Sequence, residues 1–351
     1  MTTAHAWAAH AAETPFAPFS FERRELGPHD VRIDILHCGV CHSDIHFSKG
    51  EWGDPRYPCV PGHEIVGRVS AVGSSVTGFA VGDLAGVGCL VDSCGACPSC
   101  GEGLEQYCEN GATGTYNSTE KQTGLPTYGG YSNFIVVRED FVLRINHGEP
   151  DLAAVAPLLC AGITVWSPLR HWQAGPGKTV GIAGIGGLGH MGLKLAHALG
   201  ARVLAFTTSP AKADEARRLG ADEVVNVRDA DDLARHAGSV DLIVNTVSAH
   251  QDLSLFTRLL RRDGTLVLVG AGEQPTYPNS FDFLARRISL AGSAIGGIAE
   301  TQEMLDFCAQ HGIVADIEQI AIQQVDEAYE RILASDVRYR FVIDMSTLPA
   351  G

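Results

Sequence analysis

The chain has 351 residues, of which 45% are hydrophobic and 19% charged, and it contains 40 glycines. This length and composition are typical of a soluble α/β protein with two domains. The formal net charge of −15 argues against nucleic acid or an anionic membrane as the partner. Residues 1–20 lack a basic start followed by an apolar run, and no apolar stretch of about 18 residues predicts a membrane span, so we expect a cytoplasmic protein with reduced thiols.

The first 150 residues predict a β-rich domain. Short runs rich in β-branched residues alternate with Gly and Pro, and no long helical period interrupts them. The clearest of these runs are Val31–Leu36, Ile65–Val72 and Phe134–Val137. At about residues 151–169 the pattern changes to small and apolar residues at helical spacing.

From Lys178 onward, predicted strands and helices alternate, which indicates βαβ units and a doubly wound parallel sheet. The predicted strands are Thr179–Ala183, Val203–Thr207, Asp241–Val244 and Thr265–Val269. The predicted helices are Leu188–Leu199, Ala211–Leu219 and Leu253–Leu260. A last helix at Thr301–His311 precedes a mixed tail that is too short to be a domain alone, so we expect the tail to rejoin the first domain.

A glycine-rich turn between the first strand and the first helix of this region predicts a dinucleotide site. Its residues are Gly184, Ile185, Gly186, Gly187, Leu188 and Gly189, which satisfy G-x-G-x-x-G. Glycine lets the backbone approach a pyrophosphate, and the N-terminus of a helix offers free N–H groups. A glycine pattern alone is equally typical of a tight turn, but the strand–turn–helix context favours a nucleotide.

The end of the second strand indicates which dinucleotide binds. NAD sites carry an acidic residue about 20 residues after the glycines. Here the candidates are hydroxyls and an ammonium, with no carboxylate before Asp214: Thr207, Thr208, Ser209 and Lys212. These groups favour a 2′-phosphate and therefore NADP(H). The alternative is that they only cap the next helix, as Ser209 followed by Pro210 would do in any case.

Four cysteines at C-x2-C-x2-C-x7-C spacing predict a structural zinc site. They are Cys94, Cys97, Cys100 and Cys108. Four thiolates complete a tetrahedral shell and leave no open position. An iron–sulfur cluster is the alternative, but ferredoxins end in C-x3-C-P, whereas here the last gap is seven residues and Glu109 follows. A loop without metal is the remaining alternative.

Three further residues, Cys41, His63 and Cys160, lie far apart in the sequence, each within a distinctive segment. Three ligands would leave an open position on a zinc ion, as catalytic sites require. A single Cys is more commonly a buried apolar residue than a ligand. We assign that role to the remaining cysteines, which are Cys38, Cys59, Cys89 and Cys308.

These segments resemble those of the zinc-dependent medium-chain dehydrogenases/reductases of the cinnamyl alcohol dehydrogenase type. The resemblance covers essentially the whole chain and rests on GHEIVGRVSAVGSSV from Gly62, on LLCAGITVWSPL, GIGGLGH and YRFVID. The FTTS-x-x-K and AGS-x-IGG segments are similar to those of bacterial NADPH-dependent aldehyde reductases. The family's fold implies a GroES-like catalytic domain at 1–153 and 298–351, and a Rossmann NADP-binding domain at 154–297.

The resemblance also implies roles for residues around the second metal. Cys41, His63 and Cys160 would hold the catalytic zinc, with Glu64 as a transient ligand. Asp44 would orient the ligating His. Ser43 and His46 match the family's proton relay, for which the ordinary pKa of His, about 6.5, is suitable.

Further contacts follow from the same resemblance. The residues expected near the nicotinamide are His42, Thr164, Val269, Ser293 and Ile295. Arg340 matches an Arg near the pyrophosphate, with a surface salt bridge as the alternative. Thr113 and Ala294 stand where plant lignin enzymes carry Trp and Phe, which predicts a roomier substrate pocket that Trp52 partly fills.

The implied reaction is reversible hydride transfer from NADPH to aromatic and aliphatic aldehydes, with one catalytic and one structural zinc per chain. A homodimer is expected, with a small-molecule aldehyde or alcohol as the substrate. One alternative is an NAD-linked alcohol or polyol oxidiser of the same superfamily. Another is a non-catalytic zinc- and NADP-binding protein, which would have no need of a proton relay.

Overall fold

The computed structural model describes residues 1–53, 55–272 and 275–349. Over these residues the strands, in chain order, are β1 (Thr2–Ala8), β2 (Ala17–Arg23), β3 (Asp30–Val40), β4 (Ile65–Val72), β5 (Leu84–Val87), β6 (Leu90–Asp92), β7 (Thr113–Gly114), β8 (Phe134–Arg138), β9 (Leu143–Arg144), β10 (Thr179–Ala183), β11 (Arg202–Thr207), β12 (Glu223–Asn226), β13 (Val240–Asn245), β14 (Leu260–Leu268), β15 (Ser289–Gly292), β16 (Ile317–Ala321) and β17 (Arg340–Asp344). The α-helices are α1 (His42–Ser48), α2 (Pro98–Gly101), α3 (Leu152–Val155), α4 (Ala161–His171), α5 (Gly189–Ala198), α6 (Ala213–Arg218), α7 (Ala230–Arg235), α8 (Ser254–Thr257), α9 (Ser280–Leu284), α10 (Ile298–His311) and α11 (Val325–Leu333).

The chain divides into two compact units. The first comprises Met1–Cys160 and Gly296–Gly351, and the second is Ala161–Ile295. The first unit extends to Cys160, beyond the expected boundary at 153, because α3 and a 3₁₀ turn at Ala156–Leu159 pack against β3. The last two residues of the expected 298–351 segment lie outside the described residues.

A seven-stranded sheet forms the centre of the first unit. Its order is β16-β17-β3-β4-β5-β9, and β8 also pairs with β3. The pairs β17–β3, β3–β4 and β3–β8 are antiparallel, whereas β16 and β17 run parallel. The central strand β3 is 11 residues long, and its Val31 and Ile33 are fully buried. The tail of the chain therefore contributes β17 to the same sheet as residues 30–40.

The register of this sheet brings distant sequence segments to one edge. Cys38 pairs with Ile65, and Val40 pairs with Phe341. Gly39 N donates to Glu64 O at 2.9 Å, and a Cβ on Gly39 would lie 1.9 Å from Glu64 Oε2. Only glycine therefore fits at position 39 beside the Glu64 side chain, and the segments that follow β3 and precede β4 meet here.

The second unit is a six-stranded parallel sheet with the order β12-β11-β10-β13-β14-β15. All its strand pairs are parallel, which confirms the predicted βαβ alternation. Its core includes fully or almost fully buried Leu204, Phe206 and Ile243. The helix predicted at Leu253–Leu260 is only Ser254–Thr257, because Leu260 already pairs with Val240 as the first residue of β14.

No single helix among the described residues is both long and apolar enough to cross a bilayer. One bent pair of helices, Glu149–Leu159 and Ala161–His171, meets that test by length and composition only. Most of the α4 residues in this pair are buried within the protein.

Candidate active site

Two thiols, an imidazole and a carboxylate form a buried cluster in the first unit. The ligand atoms of Cys41, His63, Glu64 and Cys160 all lie within 4.8 Å of one another. The two sulfurs, Cys41 Sγ and Cys160 Sγ, are 3.8 Å apart. Thiolate and imidazole donors at this spacing fit a zinc ion, which prefers sulfur and nitrogen ligands in a tetrahedral arrangement.

The fold brings these ligands together where β3 ends and β4 begins. Cys41 follows the last residue of β3 and is the N-cap of α1. His63 and Glu64 directly precede β4, which pairs with β3. Cys160 ends the 3₁₀ turn Ala156–Leu159, where its N–H donates to Pro157 O at 3.3 Å.

Asp44 connects the parts of this cluster. Its Oδ2 accepts from Cys41 N at 2.8 Å, and its Oδ1 accepts from Gly62 N at 3.2 Å. The same Oδ1 lies 3.2 Å from His63 Nδ1, and the Asp44 side chain is fully buried. The carboxylate therefore holds the Nδ1 side of the imidazole and leaves Nε2 as the metal ligand, the arrangement found for many zinc-bound histidines.

Burial and a neighbouring positive charge have opposite effects on the pKa of Glu64. Its burial raises the pKa of its carboxyl to about 8, although the cationic Arg340 favours the charged form. Glu64 Oε1 lies 3.3 Å from Arg340 Nη2, and neither carboxylate oxygen has a hydrogen-bond partner among the described residues. A buried carboxylate whose oxygens lack hydrogen bonds is suited to a position next to a metal cation, where it either binds the cation or lies beside its ligands.

The two thiols and the imidazole of the cluster have pKa values that are shifted in different directions. A hydrogen bond from Cys160 outweighs burial and holds the pKa of Cys41 well below its usual value, with a further contribution from Arg340. At His63, burial opposes the charge, but the carboxylate of Asp44 raises the pKa of the imidazole well above its usual value. Cys160 differs from Cys41, because its hydrogen bonds with Cys41 and Cys89 and its burial raise the pKa of its thiol well above the usual value. A thiolate at Cys41 suits a divalent cation.

Arg340 was expected near the pyrophosphate or in a surface salt bridge. Its side chain is only 5% exposed, so it is not a surface residue. Besides the contact with Glu64, its Nη1 donates to Val40 O at 3.2 Å. The β17–β3 register, in which Phe341 faces Val40, places it there.

The four-cysteine cluster is a separate site in the same unit. The sulfurs of Cys94, Cys97, Cys100 and Cys108 lie within 4.8 Å of one another. The Cys94 Sγ accepts N–H groups from Ala96 at 3.5 Å and Cys97 at 3.3 Å. A hydrogen bond from Asn110 and these backbone donors lower the pKa of Cys94 to about 5. Four sulfurs with a backbone that favours thiolate fit a closed structural zinc site.

The expected relay residues lie on α1, next to the first metal cluster. Ser43 Oγ donates to Cys41 Sγ at 3.1 Å. The ring of His46 stacks on His42, with 4.9 Å between centroids, and on Trp52, with 4.5 Å. His46 Nδ1 also makes a short contact with Glu51 Oε2.

Glu51 was not among the candidates from the sequence. A carboxylate five residues after a relay histidine was the available signal, but only the turn after α1 brings the two side chains together. Lys49 N and Glu51 N donate to the backbone of α1, to Ile45 O and His46 O respectively, which folds Glu51 back onto the helix.

Tyr116 is a second residue that the sequence did not reveal. Its ring stacks on His63 with centroids 5.7 Å apart, and it packs edge-on against Phe47 at 5.5 Å. Phe47 also contacts Trp52 at 5.5 Å, so Trp52, Phe47 and Tyr116 form one aromatic wall. Thr113, which was expected to line the substrate pocket, lies on β7 and lines a cavity in the first unit.

Cys89 lies beside the metal cluster without belonging to it. It is not one of the four residues whose ligand atoms lie within 4.8 Å of one another. A hydrogen bond with Cys160 lowers the pKa of Cys89, although burial opposes this. Its position supports the assignment of Cys89 as an unliganded residue, but one in contact with a candidate ligand.

In the second unit, the glycine-rich turn connects β10 to α5. Gly184 has φ +89°, and a Cβ on Gly189 would lie 1.9 Å from Gly184 O. A Cβ on Gly186 would meet no atom within 4 Å, so the backbone is open there. A narrow turn with open backbone before a helix fits the phosphates of a dinucleotide.

The residues expected to select the cofactor lie beside this turn. Lys212 Nζ donates to Ile185 O at 3.2 Å, within the glycine-rich turn itself. Ser209 N donates to Thr207 Oγ1 at 3.0 Å, which fixes the segment after β11, and Thr208 is exposed. The ammonium of Lys212 and the hydroxyls of the segment 207–209 thus lie near the carboxyl end of β11.

The remaining candidates of this unit lie at the carboxyl ends of its strands or on α4. Val269 N donates to Asn245 O at 3.0 Å, and Ser293 N donates to Leu268 O at 3.1 Å. Ala294 and Ile295 follow, the latter with φ +39°. Thr164 lies on α4 and is 6% exposed.

Two family models match the chain. The alcohol dehydrogenase GroES-like domain matches residues 27–147, and the zinc-binding dehydrogenase model matches residues 187–310. The chain is 62% identical over 341 residues to aldehyde reductase YahK of Escherichia coli, covering 97% of each chain.

Two solved structures are also similar. A cinnamyl alcohol dehydrogenase of Sorghum bicolor superposes with TM-score 0.94 and 43% identity, covering 100% of both chains. A cinnamyl alcohol dehydrogenase of Helicobacter pylori, solved with NADP(H), gives TM-score 0.91 and 40% identity, covering 98% of this chain and 99% of that one.

These matches extend over almost the whole length of the chain and of its relatives. They confirm both the predicted family and the predicted fold class, a GroES-like β-rich domain with a Rossmann-type parallel sheet. The chain belongs to the zinc-dependent alcohol dehydrogenase family of medium-chain oxidoreductases.

Proposed function

We propose that the chain is an NADPH-dependent, zinc-dependent aldehyde reductase that also oxidises the corresponding alcohols. The observation that carries this proposal is the buried cluster of Cys41, His63 and Cys160, beside which Ser43 and His46 lie on α1. The relatives named above include an aldehyde reductase and cinnamyl alcohol dehydrogenases. A zinc site that serves only the fold has no need of an adjacent hydroxyl and imidazole.

The proposed metal ligands divide into two sets. Cys41, His63 and Cys160 would hold the catalytic zinc, and the four-cysteine cluster would hold the structural zinc. When bound, the catalytic ion supplies Lewis-acid polarisation of the substrate oxygen, and NADPH supplies the hydride. Asp44 orients His63, and Arg340 stabilises the charged form of Glu64 while that carboxylate stays beside the ligands or joins them.

Reduction of an aldehyde consumes a proton, which α1 is suited to deliver. Ser43 has a hydroxyl beside Cys41, and His46 lies one helical turn further on. Glu51 contacts His46 Nδ1 and leaves Nε2 free to exchange the proton with solvent or with the cofactor. We therefore assign Ser43 and His46 to the relay and Glu51 to positioning the imidazole.

The cofactor we propose is NADP(H). Gly184, Gly186, Gly187 and Leu188 would lie against the pyrophosphate. The residues assigned to the 2′-phosphate are Thr207, Thr208, Ser209 and Lys212, because they supply donors and a positive charge without a carboxylate to repel it. The groups assigned to the nicotinamide end in the second unit are Thr164, Val269, Ser293 and Ile295.

The aromatic wall in the first unit supports an apolar substrate. Phe47, Trp52 and Tyr116 lie within stacking distance of one another or of His63. Trp52 is 40% exposed, so the wall is open at one side and does not enclose a single ring. We assign aromatic and medium-length aliphatic aldehydes as the substrate class.

We also propose that the protein is a homodimer formed through the second unit. β15 is at the end of the sheet order and has exposed residues, so its outer edge can pair with a second copy. Three large apolar side chains in the segment that precedes this strand are more than half exposed: Tyr277, Phe281 and Leu284. We assign a cytoplasmic location because all ten cysteines are free, and a reducing compartment keeps zinc ligands as thiols.

The decisive experiment is a steady-state comparison of NADPH and NADH with benzaldehyde, cinnamaldehyde and butanal, together with a zinc determination. We expect two zinc ions per chain and a kcat/KM with NADPH at least about tenfold above that with NADH, since charged hydrogen bonds to the 2′-phosphate are lost with NADH. A ratio of one or below would favour an NAD-linked alcohol oxidiser instead. No NADPH oxidation with any aldehyde, despite two bound zinc ions, would favour a non-catalytic binding protein.

A further inference from the structure

The first unit contains a cavity of about 210 Å³ that none of the candidate metal ligands lines. Strands β2, β6, β7 and β8 and the segment 120–128 form its walls. On the same volume measure, a single water molecule requires only roughly 10–15 Å³, so a small organic molecule fits. The residues on which the argument depends are Phe21, Arg23, Asp92, Thr113, Tyr128 and Val137.

The guanidinium of Arg23 lines this cavity without a direct ion pair, although Glu120 is close enough to act on its charge. Its Nε donates to Phe134 O at 2.8 Å, and its Nη2 donates to Tyr128 O and Ser132 Oγ at 2.9 Å. Among the described residues, no carboxylate lies within ion-pair distance of Arg23, and Nη1 has no acceptor. Burial lowers the pKa of Arg23 to about 9, although the carboxylate of Glu120 opposes this, so the group is still charged at neutral pH.

The two other buried charges of the cavity are already neutralised. Arg24 forms an ion pair with Asp30 and contacts Glu120 Oε1 at 2.8 Å. Asp92 accepts from Arg138 Nη1 at 3.0 Å, and its other oxygen accepts from Gln122 Nε2, also at 3.0 Å. An incoming anion can therefore contact Arg23 without displacing an existing ion pair.

A hydroxyl and an apolar surface complete the cavity. Thr113 is 4% exposed, and its Oγ1 has no hydrogen-bond partner within residues 1–53, 55–272 and 275–349. The rings of Phe21 and Tyr128 lie 4.3 Å apart at 46°, and Val137 belongs to the adjoining β8. Arg23 Nη1 and the Thr113 hydroxyl are not among the fully buried side-chain atoms without a partner, so both are accessible from the cavity and can donate to a ligand that lies beside the aromatic rings.

We propose that this cavity binds a small carboxylate with an aromatic or branched apolar body. The carboxylate accepts from the free guanidinium nitrogen of Arg23 and from the hydroxyl of Thr113. Its apolar body lies against Phe21 and Tyr128. This site is distinct from the substrate site of the proposed reaction and does not depend on that reaction.

The cavity is connected to the metal-binding segments through the β6–β7 pair. Asp92 pairs with Thr113, and its Oδ1 accepts from Ser93 N at 2.8 Å, immediately before Cys94. Three residues after Thr113, Tyr116 stacks on His63. A ligand that fills the cavity is therefore expected to stabilise this part of the chain against unfolding, in proportion to its occupancy.

The test is calorimetric titration of the zinc-loaded protein with benzoate, phenylacetate and cinnamate, and with benzamide as the neutral isostere of benzoate. We expect saturable binding of at least one carboxylate and binding of benzamide about tenfold or more weaker, because a charge-assisted hydrogen bond is lost. Thr113→Val keeps the side-chain volume and is expected to weaken carboxylate binding severalfold. Arg23→Gln is expected to abolish it.

Arg23 also ties three segments of backbone, so its variant is interpreted only if circular dichroism and gel filtration match the parent protein. Thr113→Val provides the test if Arg23→Gln fails to fold. Equal affinity for benzoate and benzamide would overturn the proposal, as would the absence of saturable binding with all three carboxylates. A Cys41→Ser variant distinguishes the sites: if it abolishes carboxylate binding while Thr113→Val does not affect it, the carboxylate occupies the catalytic metal site, and the proposal is wrong.

Discussion

Asp44 Oδ1 lies 3.2 Å from His63 Nδ1, and both side chains are buried. The same carboxylate accepts the backbone N–H of Cys41 and that of Gly62. Asp44 therefore fixes the backbone at Cys41 and the ring orientation of His63, which are both proposed zinc ligands. The two oxygens of Asp44 face three N–H groups. An amide has only one oxygen, so its NH₂ group would point at one of these N–H donors.

We expect Asp44→Asn to weaken binding at the catalytic zinc while the protein still folds. The amide would face either His63 Nδ1–H or a backbone N–H with its NH₂ group, which favours the wrong imidazole tautomer. Loss of such a partner costs about 10–100-fold in metal affinity or activity. Competition with a chromogenic chelator measures the affinity.

The matched control for this variant is Asp34→Asn on β3, the strand that precedes α1. Asp34 lies on β3, where it accepts from Ser70 Oγ at 2.8 Å at an exposed position. We expect the zinc affinity of the Asp34→Asn variant to equal that of the parent protein. If both variants lost metal to the same extent, a general loss of stability would explain the result, and the special role of Asp44 would be wrong.

A second prediction concerns Glu51 and the imidazole that it contacts. Glu51→Ala is expected to lower kcat for aldehyde reduction by up to about tenfold, a part of the 10²–10⁴ that general acid–base catalysis supplies. The KM for aldehyde should change little, because Glu51 contacts His46 and not the metal ligands. The pH profile of kcat should also shift, and Glu51→Asp should restore part of the rate. Exposed Glu13 provides the control: if Glu13→Ala gave the same loss, the positioning role would be refuted.

The metal ligands could be predicted from the sequence because each lies in a short, distinctive segment. Cys94, Cys97, Cys100 and Cys108 lie close together in the sequence, and His63 is followed by an acidic residue and a glycine pattern. The parallel sheet could also be predicted from the sequence, because strands and helices alternate at regular intervals from Lys178 onward. These features depend on local spacing, which a sequence shows directly.

The contacts of Tyr116 and Glu51 could not be predicted in this way. Tyr116 reaches His63 only because β7 pairs with β6 with a shifted register. Glu51 reaches His46 only because the backbone after α1 folds back onto the helix. Thr113 was expected in the substrate pocket by counting from Cys108, and that role stays a prediction; the structure places Thr113 on β7, where it lines the cavity of about 210 Å³.

The third prediction separates the two metal sites. Cys160→Ala is expected to leave one zinc ion per chain, abolish turnover and preserve the fold, because the altered cluster lies at the edge of an intact sheet. Cys97→Ala should also leave one zinc ion, but with a lower melting temperature, since structural zinc can contribute on the order of 10 kcal/mol to folding. Zinc analysis and thermal unfolding are the measurements. An equal loss of melting temperature in both variants would contradict the distinction between a catalytic and a structural ion.

The fourth prediction is that Cys89 is not a zinc ligand despite its contact with Cys160. Cys89→Ser should retain two zinc ions per chain, because its sulfur does not belong to the group of ligand atoms that lie within 4.8 Å of one another. We expect only a modest change in kcat, caused by the altered hydrogen bond to Cys160. A zinc content of one per chain would mean that Cys89 replaces one of the proposed ligands.

The last prediction concerns cofactor selection by Lys212. Its ammonium donates to Ile185 O within the glycine-rich turn, and the segment before it carries Thr207, Thr208 and Ser209. We expect Lys212→Ala to raise the KM for NADPH by about tenfold to hundredfold, the cost of a charged hydrogen bond, while the KM for NADH stays nearly unchanged. Lys178→Ala is the control, since Lys178 Nζ contacts Asp241 at 3.5 Å and lies before β10 in the same unit. Equal increases in KM for the two cofactors would show that Lys212 supports the glycine-rich turn without recognising the 2′-phosphate, and the selectivity would then have to come from the hydroxyls alone.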